Sequence, residues 1–387
     1  MKRIFAMALC TLLLAGCGAA ARAAGAAPSA APSQAVSSSA VPSAPPAVQP
    51  LSGQPLAAGT AVSRPAAVMV DNSASASARQ WGTSSASVVM EALSEGKSTE
   101  LMLWFDSLAA VPKTGPAAPG RDVFWQAALP ENSILVQKGM NLYAENLLNC
   151  YAWQPLDALM LGVNCFDFDG SDPAAEDANC WYTQGASLAN GLAAYGMSAE
   201  GTVPQWQTFG TPVQGNPLAA AAVGYSAASA TTFKWENGVF NMYRTDGSAQ
   251  LDANTGAQVA FNNVVVLYAS AGVKDDKYTR DYDLTGGSGL FLVNGTWQAI
   301  SWKKGDAAAP LQLLDAAGAP LTLSAGKTYI GIYGGFAGQS VTLSDAAGTA
   351  IDPGLAAPAP MATPVPTAAP TADPAAAPAS AAAVPAA

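Results

Sequence analysis

Five polar side chains in the first third of the chain have the types and positions that a binding pocket needs. They are Asp71, Asn72, Glu91, Glu95 and Arg121. Asp71 and Asn72 directly follow an apolar run, where α/β sheets place their ligand-binding loops. Arg121 could receive an anionic group near the start of a helix. Two plainer interpretations stay open, because Asp and Asn also cap turns and Arg121 could form a structural salt bridge.

Catalysis at these positions would have to rely on carboxylates alone. The chain contains no histidine, which excludes Ser-His-Asp and Cys-His nucleophile systems and His-ligated zinc. The candidates for a carboxylate-based hydrolase of cell-wall glycan are Glu91, Glu95 and Asp252. Such an enzyme needs two carboxylates that face one cleft, roughly 5–10 Å apart. Scattered carboxylates would favour a binding protein, and we assign no catalytic residue.

Cofactors, metals and nucleic acid are not expected. An EF-hand loop needs a glycine at position six and a glutamate at position twelve. Counted from Asp167, the acidic loop has glycine at position four and Ala178 at position twelve. The net charge is −10, from 17 Lys and Arg against 27 Asp and Glu, and no basic stripe is present to meet phosphates.

Tryptophans offer a second kind of binding surface. Four of them, Trp81, Trp153, Trp181 and Trp206, lie in stretches with loop character. Aromatic faces in loops can stack on a glycan, whereas tryptophans on strands more often fill a core. Both interpretations stay open for these four.

The elements that must position these side chains alternate in type over the first half of the chain. Apolar runs predict strands at residues 66–70, 101–105 and 134–136. Helical spacing predicts helices at residues 84–93, 121–129, 142–148 and 187–195. Alternating strands and helices favour an N-terminal α/β layered domain around a mainly parallel or mixed sheet.

The second half changes to strand periodicity. Asn237-Gly238 and Asn294-Gly295 each separate two alternating runs, which is the strongest short signal for a β-hairpin. Further strands are predicted at residues 264–268, 311–314, 321–323 and 328–333. The predicted fold class is therefore α/β plus mostly antiparallel β, with a β-rich C-terminal domain.

The start of the chain has the pattern of a bacterial lipoprotein signal peptide. Lys2 and Arg3 precede an apolar run that is too short to span a bilayer and ends in Leu14-Ala15-Gly16-Cys17. We expect residues 1–16 to be removed and Cys17 to carry lipid, with palmitate among its acyl chains. Cys17 would then anchor the protein to the bacterial cell membrane, outside the cytoplasm.

Composition divides the rest of the chain. Residues 17–60 and 351–387 are rich in Ala and Pro and poor in bulky apolar side chains, so we predict a disordered tether and a disordered tail. Between them we place an N-terminal domain at residues 61–205 and a C-terminal domain at residues 220–350. Three cysteines remain in the folded part, Cys150, Cys165 and Cys180, and their pairing stays open because their number is odd.

An ordered series of short motifs carries a family resemblance over residues 64 to 340. The motifs are Arg64-Pro65, Val68-Met69-Val70-Asp71-Asn72, Glu95-Gly96, Gly115-Pro116, Tyr243-Arg244, Gly247, Asp252, Thr255-Gly256 and Asn263-Val264-Val265-Val266. The series resembles the YerB-like lipoproteins, a two-domain bacterial envelope family of unknown biochemical function. The resemblance implies architecture and location more than an activity. It adds Tyr182, Asp252 and Asn263 to the candidate binding residues.

Several polar positions depart from the pattern of that family. Ala118 stands where the family has the first of two arginines, and Glu100 where it has an arginine. Gln250 replaces a histidine, and the stretch that ends in Tyr182-Thr183 lacks its histidine. If those residues served a ligand or a reaction, this chain has changed or lost that role. The sequence favours a non-catalytic lipoprotein that binds an envelope protein or glycan, with the hydrolase as the alternative and a plain spacer as a third possibility.

Overall fold

The structure is a computed structural model that describes residues 47–57, 59–170, 180–275 and 278–361. The predicted signal peptide, Cys17 and most of the predicted tether and tail lie outside the described residues. In the part that is described, strands far outnumber helices, so the protein is mostly β. The α/β layering predicted for the first half is not confirmed.

The first half combines strands with four short α-helices and short segments of 3-10 helix. In chain order its elements are β1 (Ala66–Asp71), 3-10 turns (Ala74–Arg79 and Thr83–Ser85), β2 (Val88–Glu95), β3 (Ser98–Phe105), a 3-10 turn (Leu108–Ala110), α1 (Asp122–Ala128), β4 (Ile134–Gln137), α2 (Leu142–Cys150), β5 (Leu156–Asp157), α3 (Ala158–Leu161), a 3-10 turn (Gly162–Asn164), β6 (Asp167–Phe168), β7 (Trp181–Tyr182), α4 (Gly185–Tyr195) and β8 (Thr208–Phe209).

The second half consists of strands. In chain order they are β9 (Asn216–Pro217), β10 (Ala220–Ser226), β11 (Ser229–Glu236), β12 (Val239–Tyr243), β13 (Ala260–Phe261), β14 (Asn263–Tyr268), β15 (Ala271–Val273), β16 (Arg280–Tyr282), β17 (Gly286–Val293), β18 (Thr296–Lys303), β19 (Gln312–Leu314), β20 (Thr322–Leu323), β21 (Thr328–Tyr333), β22 (Ser340–Ser344) and β23 (Ala350–Ile351).

One mixed sheet runs through both halves of the chain. Its strand order is β19-β18-β17-β14-β21-β2-β3-β1-β4-β5, and β9 pairs with β18. The junction is β21, which pairs in parallel with β14 on one side and with β2 on the other, where Val88 lies opposite Thr328. The predicted boundaries at residues 205 and 220 stay predictions, but the two halves share backbone hydrogen bonds.

Alternating side chains of the large sheet feed two hydrophobic clusters. In β1, Val68 and Val70 belong to the cluster that includes β10, β11, β12 and α4. Ala67 and Met69 belong to the cluster that includes α1 and α2. Successive side chains of a strand point to opposite faces, so the sheet is covered on both sides. A second sheet, in the order β13-β12-β11-β10-β22-β23, contributes to the first cluster.

The helix predicted at residues 84–93 is wrong, because residues Val88–Glu95 form strand β2. This strand lies between β21 and β3, and all but its last residue are buried. A strand that is covered on both faces lacks the alternation of apolar and polar residues, and the apolar residues of β2 also satisfy helical spacing. The other predicted strands and helices named above, and both Asn-Gly hairpins, are confirmed.

The folded chain extends beyond the limits predicted for the disordered ends. Leu51 is fully buried and packs in the second cluster, although it falls in the predicted tether. After β23, the Met361 backbone N–H donates to the Ala271 carbonyl at 2.9 Å. Short Ala/Pro-rich segments therefore take a defined position where a single bulky residue packs in the core or a backbone group forms a hydrogen bond.

Within the described residues, no helix is both long enough and apolar enough to cross a membrane. The three cysteines of the folded part are free thiols, with Cys150 exposed and Cys165 and Cys180 buried. Burial raises the pKa of the Cys165 thiol to about 12, which leaves it protonated and unreactive at neutral pH.

Candidate functional site

The buried carboxylate of Glu91 ties together the two halves of the chain. Its Oε1 accepts hydrogen bonds from Asn72 Nδ2 at 2.9 Å and Thr99 Oγ1 at 2.6 Å. Its Oε2 accepts from Thr231 Oγ1 at 2.8 Å and the Tyr329 hydroxyl at 2.6 Å. Burial raises the pKa of Glu91, and these hydrogen bonds act against that rise. Because each of its oxygens accepts two hydrogen bonds, Glu91 holds the side chains around it in place.

A chain of amides continues from this anchor to two further buried side chains, Gln80 and Gln250. Asn72 Oδ1 accepts from Gln80 Nε2 at 2.9 Å, and Gln80 Oε1 accepts from Gln250 Nε2 at 2.5 Å. Asp71 uses its Oδ1 to accept from the Ser73 backbone N–H at 2.7 Å. Asp71 thus caps the turn at Ser73, and the bond between Gln250 and Gln80 links the two halves.

Asp252 is a second buried link between the halves. Its Oδ1 accepts from the Gly82 backbone N–H at 3.2 Å. Its Oδ2 accepts from the Ser84 backbone N–H at 2.9 Å and from Ser84 Oγ at 2.7 Å. The carboxylate is fully buried and caps a turn of the first half, so it is not presented to a substrate.

A cavity of about 330 Å³ opens beside this network, between the two halves. We call it the Arg244 cavity. Its first-half wall contains Asn72, Ala74, Ser77 and Ser98. Its second-half wall includes Thr231, Tyr243, Arg244, Asp246 and Gln250. The volume lies at the lower end of the range for small-molecule sites.

Arg244 is the cationic group of this cavity and is half-buried. One guanidinium nitrogen donates to the Ser77 carbonyl at 3.3 Å, which crosses from the second half to the first. Burial lowers the pKa of Arg244, whereas Asp246 and then Glu91 raise it. An arginine stays charged under any of these influences. The cavity therefore presents a fixed positive charge among hydroxyl and amide groups.

A larger cavity, of about 680 Å³, has a different character. Trp206, Phe209, Leu311 and Leu313 line it, and none of its lining residues is charged. Size alone would favour it, but ligand sites combine apolar walls with a few convergent polar groups that fix orientation. Gln205, Gln207, Thr208 and Gln312 bring polar groups to the larger cavity as well. Of the two cavities, the Arg244 cavity has a charged group that could fix an ionised ligand, so we place the candidate site there.

Both walls of the Arg244 cavity fall within matched family domains. Residues 51–198 match the N-terminal domain, and residues 221–330 the C-terminal domain, of a family described as "Protein of unknown function (DUF3048)". The chain belongs to the DUF3048 family.

Two comparisons concern the same DUF3048 relative. "Putative lipoprotein YerB" of Bacillus subtilis (strain 168) is 29% identical over 270 residues, which cover 66% of this chain and 77% of the relative. The crystal structure of YerB protein from Bacillus subtilis superimposes with a TM-score of 0.67 at 26% identity. It covers 76% of this chain and 99% of the YerB chain. These comparisons confirm the resemblance to YerB-like lipoproteins, and the YerB structure shares the fold of this chain over 76% of its length.

Other predicted site residues of this DUF3048 chain lie outside the cavity. Arg121 is buried in an ion-pair cluster, with its Nε 3.2 Å from Glu95 Oε1 and a terminal nitrogen 3.3 Å from Glu100 Oε1. Burial raises the pKa of Glu100 to about 7, and Arg121 opposes that rise. In this structure two carboxylates of the protein itself are paired with the guanidinium of Arg121, which is the salt-bridge alternative named from the sequence.

Tyr182 and Asn263 also have structural surroundings. The Tyr182 hydroxyl donates to Asp167 Oδ2 at 3.0 Å, and its ring lies edge-on to Trp81 at 5.6 Å. Asn263 is buried and exchanges hydrogen bonds of 2.9 Å with the Ser324 backbone. Neither residue lines the Arg244 cavity.

Two of the four loop tryptophans, Trp81 and Trp206, are buried, and of these Trp206 lines the larger cavity. The residues that sequence reasoning missed as site candidates are Arg244, Ser77 and Thr231. The only signal for Arg244 was its place in the Tyr243-Arg244 motif, since an arginine on a hairpin strand reads as a surface charge.

The three carboxylates proposed for a hydrolase do not form a catalytic pair. Glu91 and Asp252 are fully buried, and their oxygens are occupied by donors of the protein itself. Glu95 is paired with Arg121. Because no two of these three face a common cleft, the hydrolase gains no support. Within the described residues, no cluster of three or more acidic or cysteine side chains has the arrangement of a metal site.

Proposed function

We propose that this DUF3048 protein is a membrane-tethered, non-catalytic binding protein of the cell envelope, and that its ligand occupies the Arg244 cavity. The observation that carries the proposal is the position of the cavity. It is lined by residues of both matched domains, and Arg244 brings a positive charge to that lining. A ligand there would contact both domains at once.

The hydrogen-bond network beneath the cavity supports a binding role. Glu91 fixes the side chains of Asn72 and Thr231, one from each wall. Binding sites gain affinity when their contact groups are already ordered, because less conformational freedom is lost. The buried network orders the walls without offering a free general acid or base.

The location follows from the start of the chain and from the relative. Leu14-Ala15-Gly16-Cys17 has the lipobox pattern, and the B. subtilis relative is named a lipoprotein. Acyl chains on Cys17 would hold the folded part at the outer face of the cell membrane. Mass analysis of the native chain should show a lipidated Cys17, and an unmodified thiol would contradict this location.

Retention and cleavage of envelope material test the function together. The full chain in detergent is incubated with labelled envelope fragments, in wild-type form and as Arg244→Gln. The wild type should retain fragments without releasing smaller products, and Arg244→Gln should retain at least tenfold less, because the cavity loses its charge. Lys303→Gln is the matched control, since Lys303 is exposed on β18 away from the cavity.

Each contradicting outcome has a distinct meaning. Soluble products released by the wild type would replace the binding role with a hydrolase. Equal retention by wild type and Arg244→Gln would move the binding site out of the cavity. An absence of retention by the wild type would overturn the proposed function.

A further inference from the structure

We propose that Arg244 binds the carboxylate of a small monoanionic ligand whose body carries hydroxyl or amide groups. The inference rests on the proposed function and specifies the chemistry of its ligand.

The guanidinium of Arg244 has donors to spare. Its one described hydrogen bond to the protein is the 3.3 Å contact with the Ser77 carbonyl. No described carboxylate forms an ion pair with it, in contrast to Arg121, which has two. A guanidinium carries five N–H groups in a planar fork that matches a carboxylate with two parallel hydrogen bonds. Arg244 is thus free to form an ion pair with a ligand carboxylate, whereas Arg121 is already paired with carboxylates of the protein.

The nearest acidic groups do not take that place. Asp246 lines the same cavity, but its Oδ1 accepts from Ser248, at 2.9 Å from the backbone N–H and 2.6 Å from Oγ. Glu91 lies below the cavity, and its oxygens accept from Asn72, Thr99, Thr231 and Tyr329. Both carboxylates act on Arg244 through space without pairing with it.

The charge around the cavity selects a monoanion over a dianion. One guanidinium faces the ligand, while Glu91 and Asp246 stand within electrostatic reach of it. A carboxylate brings one negative charge, which Arg244 matches. A phosphate monoester brings between about 1.5 and 2 negative charges at neutral pH. The second charge would meet no further cation among the lining residues, and it would share the cavity with the carboxylate of Asp246.

The residues that line the Arg244 cavity indicate the chemistry of the rest of the ligand. Thr231 and Thr245 line the cavity, but their hydroxyls already donate to Glu91 Oε2 and to the Ala230 carbonyl. Ser98 and Ser229 bring two further hydroxyl groups to the lining, and Met242 brings an apolar contact. Hydroxyls donate and accept, so they suit a ligand with both kinds of group. The volume of about 330 Å³ suits a single sugar ring or a dipeptide. A carboxylate-bearing sugar and a short peptide with a free C-terminus share the chemistry that Arg244 would recognise.

Calorimetric titration of the full chain in detergent tests the ligand class. The carboxylate probes are N-acetylmuramic acid and alanyl-alanine, which separate the sugar source from the peptide source. N-acetylglucosamine is the neutral control, and N-acetylglucosamine 6-phosphate is the dianionic one. At least one carboxylate probe should bind at least tenfold more tightly than both controls, and added salt should weaken it.

Variants assign the binding to Arg244. Arg244→Gln should weaken the bound carboxylate probe at least tenfold, and Arg244→Lys should weaken it less, since a point charge replaces a planar fork. Lys303→Gln should match the wild type. Urea unfolding of each variant checks that the fold is intact, and Ala230→Leu, which fills the cavity without removing charge, should also block binding.

Three results would overturn the ligand class: tighter binding of the phosphate or neutral sugar, equal carboxylate binding in Arg244→Gln, or no binding of any probe. If no probe binds while wild-type chain still retains envelope fragments and Arg244→Gln does not, the ligand class fails and the proposed function stands. If the fragments are not retained either, both fail.

Discussion

At the scale of single residues, Glu131 is a buried carboxyl without compensation. It lies in the turn between α1 and β4, is 1% exposed, and its Oε2 has no hydrogen-bond partner among the described residues. Burial alone raises the pKa of Glu131 from 4.5 to about 7. Ionisation of Glu131 therefore destabilises the folded protein. Glu91 differs, because its two oxygens accept hydrogen bonds from four donors.

Replacing Glu131 by Gln should stabilise the protein at pH 8. Because the pKa of Glu131 is higher in the folded than in the unfolded protein, its protonated side chain contributes to the unfolding free energy. This contribution is fully present below the unfolded-state pKa of about 4.5. That contribution is lost as the pH rises through the folded pKa of about 7. Glutamine cannot ionise, so Glu131→Gln should gain roughly 1–3 kcal/mol in unfolding free energy at pH 8 and almost nothing at pH 4.5.

Urea unfolding of wild type and Glu131→Gln at several pH values measures this difference. The exposed Glu200 supplies a control, Glu200→Gln, which should change stability by only a few tenths of a kcal/mol at any pH. A gain of equal size at pH 4.5 and pH 8 would contradict ionisation as the cause. A loss of stability at pH 8 would show that Glu131 has a partner in solution.

At the scale of elements, two hairpins with the same turn sequence differ in their surroundings. Gly238 and Gly295 both adopt positive φ, at 81° and 69°, each after an asparagine with positive φ. A Cβ at Gly238 would meet no atom within 4 Å, whereas at Gly295 it would lie 2.6 Å from Trp235 Nε1. The β17–β18 turn is thus packed against β11, and the β11–β12 turn is open.

Alanine at the two glycines should separate backbone strain from packing. Gly238→Ala should lower the unfolding free energy by roughly 1–2 kcal/mol, because a residue with a Cβ is strained in the left-handed backbone conformation. Gly295→Ala should cost about 1–3 kcal/mol more, because the indole of Trp235 must move. Urea unfolding measures both, and Trp235→Ala should bring the two costs together. Equal costs in the wild-type background would show that Trp235 yields freely.

Local signals predicted the hairpins well because Asn-Gly turns depend on four neighbouring residues. They failed at β2, where Val88, Val89, Ala92 and Leu93 satisfy helical spacing although the strand is buried on both faces. Alternation disappears in a strand that is covered on both sides, so nothing within the segment separates the two interpretations. The deciding fact is long-range pairing with β21, which a local pattern does not contain.

The candidate site was predictable only in part for a similar reason. Asn72 stood out because it follows a strand, and it does line the cavity. Arg244 and Thr231 did not stand out, since they become site residues only when the second half packs on the first. The sequence made Arg121 look equally suited to bind an anion. In the structure it forms ion pairs with Glu95 and Glu100, which a local sequence pattern does not reveal.

At the scale of the whole molecule, the two matched domains depend on each other for structure. Strand β21 of the second domain pairs with β2 of the first along Val88 to Glu91. Thr231 and Tyr329 supply both donors to Glu91 Oε2. Separating the domains would expose the edge of β2 and leave half of a buried carboxylate without partners, which is costly.

We therefore expect the full chain to unfold in one cooperative transition and neither half to fold alone. Fragments 47–205 and 206–361 should lack near-ultraviolet circular dichroism and show no sigmoidal urea transition, because the first loses β21 and the second loses β2 as a neighbour. The full chain measured under the same conditions is the control. A fragment 47–205 that unfolds cooperatively, with a midpoint close to that of the full chain, would show that the domains are independent. In that case the Arg244 cavity would lie between two bodies that can move apart, and its walls would not be ordered before the ligand binds.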